Sequence, residues 1–407
     1  MTAVKLWICR SARLRRYDLF YYIECADEQL IVATSNSQIP FLDKLSSLSQ
    51  HPSFRLEEEY LGPAGNDSII PCYFLSPNEA IDLEPDLSRD VKGALLVTET
   101  GIIDSQALVD SLALEIEDPE YLPSKQAESS SVGRMKEETR GEGVLVMGTR
   151  VVRIDKDPEG KGWIVQMETG WSEDGEKGQV ESVKCQVVVN AAGLGAASLL
   201  EGIVPEQDQP KMHLVKGKSP SCIYTVCQYR RELMTGNYMS YKGPGVSNVS
   251  RLIYPCPGGS LDHLGTHLTL DLDGNIRFGP DTEPIGSPSQ YAQNPDFWQE
   301  HLAPSDSRIA SIAEAVQDYL PGIDPAGLSP DYSGIRPNIS PPGSAFTDFM
   351  IRHDTSRKGL IELLGFNSPG LTSSLATGEH VARMVRKEVW GMKVGRGEVE
   401  RLADGWE

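Results

Sequence analysis

The feature that most constrains this chain is a pair of apolar strands, each running straight into a glycine-bearing turn. Val187-Val188-Val189 is continuously apolar, as in a strand covered on both faces, and leads into Asn190-Ala191-Ala192-Gly193-Leu194-Gly195-Ala196-Ala197-Ser198. Near the end of the chain, Gly359 to Leu364 leads into Gly365-Phe366-Asn367-Ser368-Pro369-Gly370, and helical spacing follows from Leu371 to about Val389. There Leu371, Leu375, Gly378, Ala382 and Val385 form one stripe. Strand-to-helix units of this kind build α/β layers. The run Leu30 to Ala33, with helical spacing from Ile39 to Leu48, supplies another β-then-α start.

Between these units the pattern changes. Val144 to Ile154, Trp163 to Thr169 and Val183 to Asn190 read as three successive strands of an antiparallel meander. Residues 210–335 mix short strands with Pro and Gly. Their clearest hairpin runs from Thr266 to Leu272, turns at Asp273-Gly274 and returns from Asn275 to Phe278. Ser307 to Tyr319 has helical spacing and stops before Pro321. The expected fold class is α/β, with an α+β region whose sheet is mixed or antiparallel. Pro123 to Gly143 is polar and aperiodic, which predicts a flexible insert. Residues 1–17 carry five basic side chains and no acid, the bias of a transit peptide or an arbitrary start, and residues 393–407 read as a frayed tail.

Composition removes several function classes. The 407 residues hold 38 Lys+Arg against 58 Asp+Glu, a net charge of -20. With no long basic run, nucleic acid and anionic membrane surfaces are disfavoured partners. The 7 cysteines form no CxxC pair, so no structural zinc is expected. No apolar window reaches the length of a spanning helix.

Four motifs could carry chemistry. The segment from Val187 to Ser198 imitates a dinucleotide fingerprint, but no second strand ending in an acid follows; Glu206 and Asp208 lie between prolines. Gly193 and Gly195 therefore read first as permitting a tight turn. In Gly365 to Thr372, Ser368 could cap a helix, Pro369 suits a first helical position and Gly370 lets a ligand approach the backbone. The N–H groups of residues 370–372 would then face an electron-rich group, and a well-capped core helix is the equal alternative. Arg336, in Gly334-Ile335-Arg336-Pro337, offers a planar fork for a carboxylate, although a surface arginine is the commoner outcome. His263 and His267 are four apart, a metal-ligand spacing only on a helix. The alternation of Leu268, Leu270 and Leu272 marks a strand, which places His267 with Thr269 on the opposite face, as a base or a hydrogen-bonded histidine.

Taken together, these segments resemble the L-2-hydroxyglutarate dehydrogenase family, within the wider group of flavin-dependent D-amino-acid-oxidase-like enzymes. The matching blocks run in order from Leu30-Ile31-Val32-Ala33-Thr34, through Glu99 to Ser105, Val189 to Gly193, Leu252 to Pro255, His267 to Thr269, Phe278 to Asp281 and Gly334 to Pro337, to Ser368 to Ser374. The resemblance implies FAD as cofactor. It places Ala191, Ala192 and Gly193 beside the FAD ribose, the strand holding Val151 along the adenine, and Gly365 with Ser368, Pro369, Gly370, Leu371 and Thr372 at the flavin ring. It makes Arg336 the holder of the substrate carboxylate and sets His267 near the reacting centre. It implies an FAD-binding-like domain from 90–205 and 336–390, and a substrate domain from 25–90 and 206–335. The implied reaction takes L-2-hydroxyglutarate to 2-oxoglutarate by hydride transfer to flavin, with electrons leaving to a quinone or a carrier protein. Arg251 or Arg277 would meet the second carboxylate. The family also implies a mitochondrial location in eukaryotes, with the cytoplasm as alternative.

One departure matters. The family opens with a βαβ unit whose glycine-rich turn holds the FAD pyrophosphate, and no apolar strand feeding GxGxxG precedes Leu30. The expectation is an N-terminally truncated chain, and the alternative function is a non-catalytic scaffold that binds FAD weakly or not at all. An NAD-dependent dehydrogenase would need the acid-terminated strand missing after Ser198.

Overall fold

A computed structural model describes residues 28–49, 71–98, 100–117, 143–170, 178–204, 234–257, 265–281, 283–284, 302–303, 305–337, 339 and 348–392. Both chain ends and the insert expected at 123–143, apart from Gly143, lie outside the described residues. In chain order the first strands are β1 (Gln29–Ala33), β2 (Cys72–Leu75), β3 (Gly93–Val97), β4 (Thr149–Lys156), β5 (Trp163–Thr169), β6 (Gln179–Cys185) and β7 (Val188–Asn190). They are followed by β8 (Met234–Tyr241), β9 (Leu252–Pro255), β10 (His267–Leu270), β11 (Ile276–Gly279), β12 (Glu283–Pro284), β13 (Leu328–Arg336), β14 (Met350–His353) and β15 (Leu360–Leu364). The helices are α1 (Ile39–Ser49), α2 (Pro77–Leu83), α3 (Ser105–Glu117), α4 (Ile309–Gln317) and α5 (Ser374–Met384).

A nine-stranded sheet runs β12-β8-β11-β10-β9-β1-β3-β2, with β13 also on β8. Only β1 and β9 pair in parallel within it, so the sheet is mixed. Leu30, Val32, Met239, Ile253, Leu268 and Phe278 point to one face and are almost wholly buried. They pack against Ala80 and Ile81 of α2 and Ile312, Ala313 and Val316 of α4. The α4 spacing of three and four residues puts its apolar side chains on one stripe, which this face covers. Each such large side chain contributes roughly 1.5–3 kcal/mol by leaving water. On the other face, Leu42 of α1 covers Ala33, Leu95 and Cys256. That cover belongs to the β1-β3-β2 end, and the β9-β10-β11-β8 end is where the partly exposed polar side chains lie. β3 pairs with β1 and β2, so the large sheet extends past the boundary expected at residue 90.

Two smaller sheets complete the chain: the antiparallel meander β4-β5-β6, and β14-β15-β7, in which β15 and β7 run parallel. The strand expected from Val183 to Asn190 is thus two strands in two sheets. The break falls at Gln186-Val187, where Val188 N–H donates to Gly359 O and leaves the meander for β15. The expectation that Val187 to Val189 is covered on both faces is also corrected. Val188 is half-buried and Val189 is 42% exposed, so the face of β7 that bears Val189 is uncovered among the described residues, and β7 is an edge strand paired only with β15. β4 begins at Thr149, with Val144 and Met147 exposed ahead of it.

Neither expected helix start holds. After β7 the chain makes two short 3-10 turns, at 193–195 and 198–200, rather than an α-helix. Asn190 explains this: its Nδ2 donates to Ala196 O at 2.7 Å and its Oδ1 accepts from Ala192 N–H, so a side chain takes groups a helix would use. After β15, α5 starts at Ser374 instead of Leu371. Gly370 N–H donates to Asn367 O and Ser373 N–H to Pro369 O, closing successive turns before the helix. Pro369 follows a cis peptide bond and is not a first helical residue, nor does Ser368 cap α5; the residue before the helix is Ser373. The buried stripe is accordingly rotated to Thr377, Val381 and Val385, while Gly378 and Ala382 face outward.

Candidate active site

The face of the large sheet opposite the core is built by register. Leu268 pairs with Ile253 and with Phe278, and Phe278 pairs with Met239, all pointing into the core. Their neighbours must point the other way. Tyr254, His267, Gly279 and Tyr238 therefore form a row across β9, β10, β11 and β8. His267 and Tyr254 stack with ring centroids 3.7 Å apart and planes 10° from parallel. The expectation that His267 projects opposite the leucines is met.

Gly279 is the gap in this row that lets Tyr238 lie flat. Its φ is 147°, and a Cβ there would stand 2.6 Å from Tyr238 Cδ1. Tyr332 stacks on Tyr238 with centroids 4.4 Å apart, and their hydroxyls hydrogen-bond. Burial pushes the Tyr254 phenol up to about 12, reinforced by Tyr238 and opposed by a hydrogen bond with Thr269. Burial also raises Tyr238, with Arg336 and Tyr332 pulling it back. These phenols stay neutral at ordinary pH and can only donate or accept hydrogen bonds.

Arg336 reaches this face through a bulge. In β13, Leu328 pairs with Tyr241 and Pro330 with Met239, both toward the core; Ser333 then pairs with Asn237, so Asp331 and Tyr332 together oppose Tyr238. One extra residue reverses the alternation for everything beyond it. Gly334 and Arg336, which would otherwise point inward, share the face of Tyr238. The charge of Arg336 favours the ionised form of the Tyr238 hydroxyl, which places the guanidinium near it, and no ion pair of Arg336 occurs among the described residues. Neighbouring arginines differ. Arg277 is held by Asp331 at 2.5 Å and Asp271 at 2.8 Å, and Arg251 by Glu28 at 2.6 Å and the buried Glu84 at 3.2 Å. Both arginines expected to meet a second carboxylate are thus already paired, because acids at the start of the adjacent β1, in the β10–β11 turn, on β13 and just past α2 fill their forks.

The second half of the site lies where β7 and β15 end. Asn190 pairs with Glu362, so Ala191, Ala192 and Gly193 leave the sheet at the same edge as Gly365 to Thr372. Gly193 has φ 56° and open space where a side chain would be. Ile339, three residues after Arg336, packs with Ala196, Ala197, Leu200 and Leu364 in one buried cluster that Val151 also joins. The Arg336 loop, the Gly193 turn and the β15 end therefore meet. At the start of α5, Ser374 Oγ and Thr377 Oγ1 are buried with no hydrogen-bond partner. A buried hydroxyl without a partner costs about 1–3 kcal/mol and marks a place for an unseen acceptor or donor. The Gly370 N–H, expected to face a ligand, is instead bonded to Asn367 O at 2.5 Å. The open glycine turn, two orphaned hydroxyls and adjoining strand ends fit the sugar and ring portions of a dinucleotide. They do not supply a pyrophosphate cradle, since Gly193-Leu194-Gly195 closes on itself.

Tyr238, Tyr254, Tyr332, Ser374 and Thr377 escaped the reading of the sequence as site residues. The tyrosines are found only once strand register is known, and the hydroxyls only once α5 is set in rotation. Among the described residues no cluster of His, Cys, Asp and Glu could hold a metal, and no helix is long and apolar enough to cross a membrane.

Comparison with known proteins bears on this geometry. A family model described as FAD dependent oxidoreductase, DAO, matches residues 133–384. The mitochondrial L-2-hydroxyglutarate dehydrogenase of Arabidopsis thaliana is 30% identical over 363 residues, 87% of this chain and 65% of that protein. L-2-hydroxyglutarate dehydrogenase of Escherichia coli strain K12 is 25% identical over 187 residues, 40% of this chain and 42% of that protein. This chain thus spans less than two thirds of either relative. Among solved structures, L-alpha-glycerophosphate oxidase from Mycoplasma pneumoniae with FAD bound has TM-score 0.60 at 16% identity, covering 94% of this chain and 80% of that one. Glycine oxidase from Geobacillus kaustophilus has TM-score 0.56 at 16% identity, covering 95% and 79%. These structural likenesses show the fold.

Proposed function

The chain belongs to the FAD-dependent oxidoreductase (DAO) family, and from that premise we propose that it serves the oxidation of L-2-hydroxyglutarate, or a close 2-hydroxy dicarboxylic acid, to the 2-oxo acid. One observation carries the reading: Arg336, unpaired among the described residues, is turned by the β13 bulge onto the face that bears His267. An unpaired guanidinium beside a neutral phenol is a seat for a carboxylate, which it can grip through two parallel N–H donors.

In this proposal Arg336 fixes the C1 carboxylate, and Tyr238 donates a hydrogen bond alongside it. His267, held flat by Tyr254, accepts the proton of the C2 hydroxyl at a ring nitrogen. FAD, when bound, supplies the two-electron acceptor for the hydrogen that leaves C2. Val151, Ala191, Ala192 and Gly193 would line its adenosine side, and Gly365 with the Ser368, Pro369, Gly370, Leu371 and Thr372 turn its ring side. Ser374 and Thr377 add the hydroxyls that lack partners. Among the described residues, the flavin side then comprises 149–170, 178–204 and 348–392, and the substrate side the nine-stranded sheet. A quinone or carrier protein as the onward acceptor, and a mitochondrial location, belong to the same proposal; the Arabidopsis relative's name supports the location.

A second reading, a scaffold with weak FAD binding, is favoured by the Gly193 turn closing into a 3-10 turn rather than opening a helix. The experiment is turnover of L-2-hydroxyglutarate by the full chain supplied with FAD, with and without Arg336→Ala. Loss of kcat/KM by roughly a hundredfold or more supports the seat, on the scale of a lost charge-assisted bond. Equal kcat/KM removes it, and absent flavin uptake favours the scaffold.

A further inference from the structure

We propose that a relay on the buried side of the large sheet, Arg308 to Asp281 to Asn237 to Ser333, sets the direction of Arg336 and thereby the affinity of the site for a substrate carboxylate. The inference rests on the reading of Arg336 given above.

Parity along β13 decides which face Arg336 takes. Arg336 faces the side opposite the core only because two residues, Asp331 and Tyr332, oppose the single Tyr238. If that extra residue were absorbed elsewhere, the alternation would flip and Arg336 would point toward the core. What pins the bulge lies directly beneath Tyr238. Ser333 Oγ donates to Asn237 Oδ1 at 2.7 Å, immediately after the bulge. The other end of the same amide, Asn237 Nδ2, donates to Asp281 Oδ1 at 2.8 Å, and Asn237 N–H donates to that same oxygen at 3.0 Å. Asp281 N–H returns a bond to Asn237 O at 3.1 Å. The second Asp281 oxygen is held by Arg308 Nε. Arg308 directly precedes α4, whose Ile312 and Val316 are rooted in the core.

Asn237 is 6% exposed, so its amide cannot trade these partners for water without cost. With the nitrogen end held by a carboxylate, the oxygen end faces Ser333; without the bulge Tyr332 would stand opposite Asn237 instead, its hydroxyl carried a full ring's length away from the amide. Above the sheet the bulge is held by Tyr332 on Tyr238 and by Asp331 on Arg277. Ser333 and Asn237 touch neither substrate nor cofactor in this scheme; they are positioning residues acting through Arg336.

The test measures binding of L-2-hydroxyglutarate to the full chain by calorimetry, alongside thermal unfolding and flavin content, for Ser333→Ala, Ser333→Thr, Arg336→Ala and the Ser333→Ala/Arg336→Ala double variant. Ser333→Ala is expected to weaken binding about tenfold, one hydrogen bond's worth, with flavin content unchanged. Ser333→Thr keeps the hydroxyl and should restore affinity. The double variant should bind no more weakly than Arg336→Ala, because both changes act on one interaction. If Arg336→Ala weakens binding while Ser333→Ala does not, the relay is refuted and the carboxylate seat survives. If Ser333→Ala lowers stability and flavin content together with binding, its role is structural and the inference fails. If Arg336→Ala leaves binding intact, the reading of the site fails first and the inference with it.

Discussion

Ile339 closes against Gly365: a Cβ at Gly365 would stand 2.8 Å from Ile339 Cγ1. This contact fastens the loop leaving Arg336 to the turn leaving β15, and so ties the carboxylate-gripping strand to the proposed flavin side. Gly365 has φ 72°, a left-handed conformation that costs other residues about 1–2 kcal/mol before any clash. Gly365→Ala is therefore expected to destabilise the chain by roughly 2–3 kcal/mol. Denaturant unfolding checks this, and a variant as stable as the parent would show that the contact yields freely.

Gly279 performs the matching service on the large sheet. Gly279→Ala must push a methyl toward Tyr238 Cδ1, and its Cβ would also lie 2.8 Å from Asn237 O. The expected outcome is a displaced Tyr238 ring and kcat/KM for L-2-hydroxyglutarate lowered by about tenfold or more, the scale of one misplaced contact. Unchanged kinetics would mean that Tyr238 takes no part in holding the substrate.

Ser374 and Thr377 make opposite demands on the free and the flavin-bound chain. Replacing the orphaned Thr377 hydroxyl by a methyl removes an unsatisfied buried group. Thr377→Val should leave the flavin-free chain as stable as the parent or up to about 1–3 kcal/mol more stable. FAD affinity, read by fluorescence titration, should fall. If both quantities fall, the hydroxyl already has a structural partner; if FAD affinity holds, it does not serve the cofactor.

Tyr254 gives an alkaline signature. Its folded value of about 12 lies above the ordinary 10.0, so the fold favours the protonated phenol. The sign follows from proton binding: the stability it contributes is fully present below 10 and is lost as pH rises toward 12. Tyr254→Phe should therefore flatten the loss of stability across that interval and leave the phenolate absorbance rise near 10 unchanged. A phenolate signal near 10 that disappears in Tyr254→Phe would contradict the buried environment.

Much of this arrangement was legible in the residues, and what was not has identifiable causes. β1, α1, β15 and the β10–β11 hairpin follow from local periodicity and turn composition, which need no distant partner, although the turn is centred on Leu272-Asp273, with Gly274 at positive φ after it, rather than on Asp273-Gly274. The inward Leu268 and Leu270 and the outward His267 follow from alternation alone, whereas Leu272, 37% exposed, lies past the strand end in the turn. The start of α5 was misplaced because Ser368-Pro369-Gly370 has the composition of a helix start, while the actual turns depend on Asn367 and Pro369 carbonyls. β7 was joined to β6 because an apolar run does not reveal which sheet it enters. The direction of Arg336 was hidden for a deeper reason: counting back along β13 by twos gives the wrong face, and the bulge that corrects it is specified by Asn237, remote in sequence. The Tyr254–His267 stack likewise needs the β9–β10 register.

The most direct test mixes the full chain, FAD and L-2-hydroxyglutarate without oxygen and follows the visible absorbance of the flavin. The flavin is expected to bleach with L-2-hydroxyglutarate, and the Arg336→Ala chain to require far more substrate for the same effect. A chain that binds FAD yet shows no bleaching with this or any other 2-hydroxy acid would contradict the proposed oxidation.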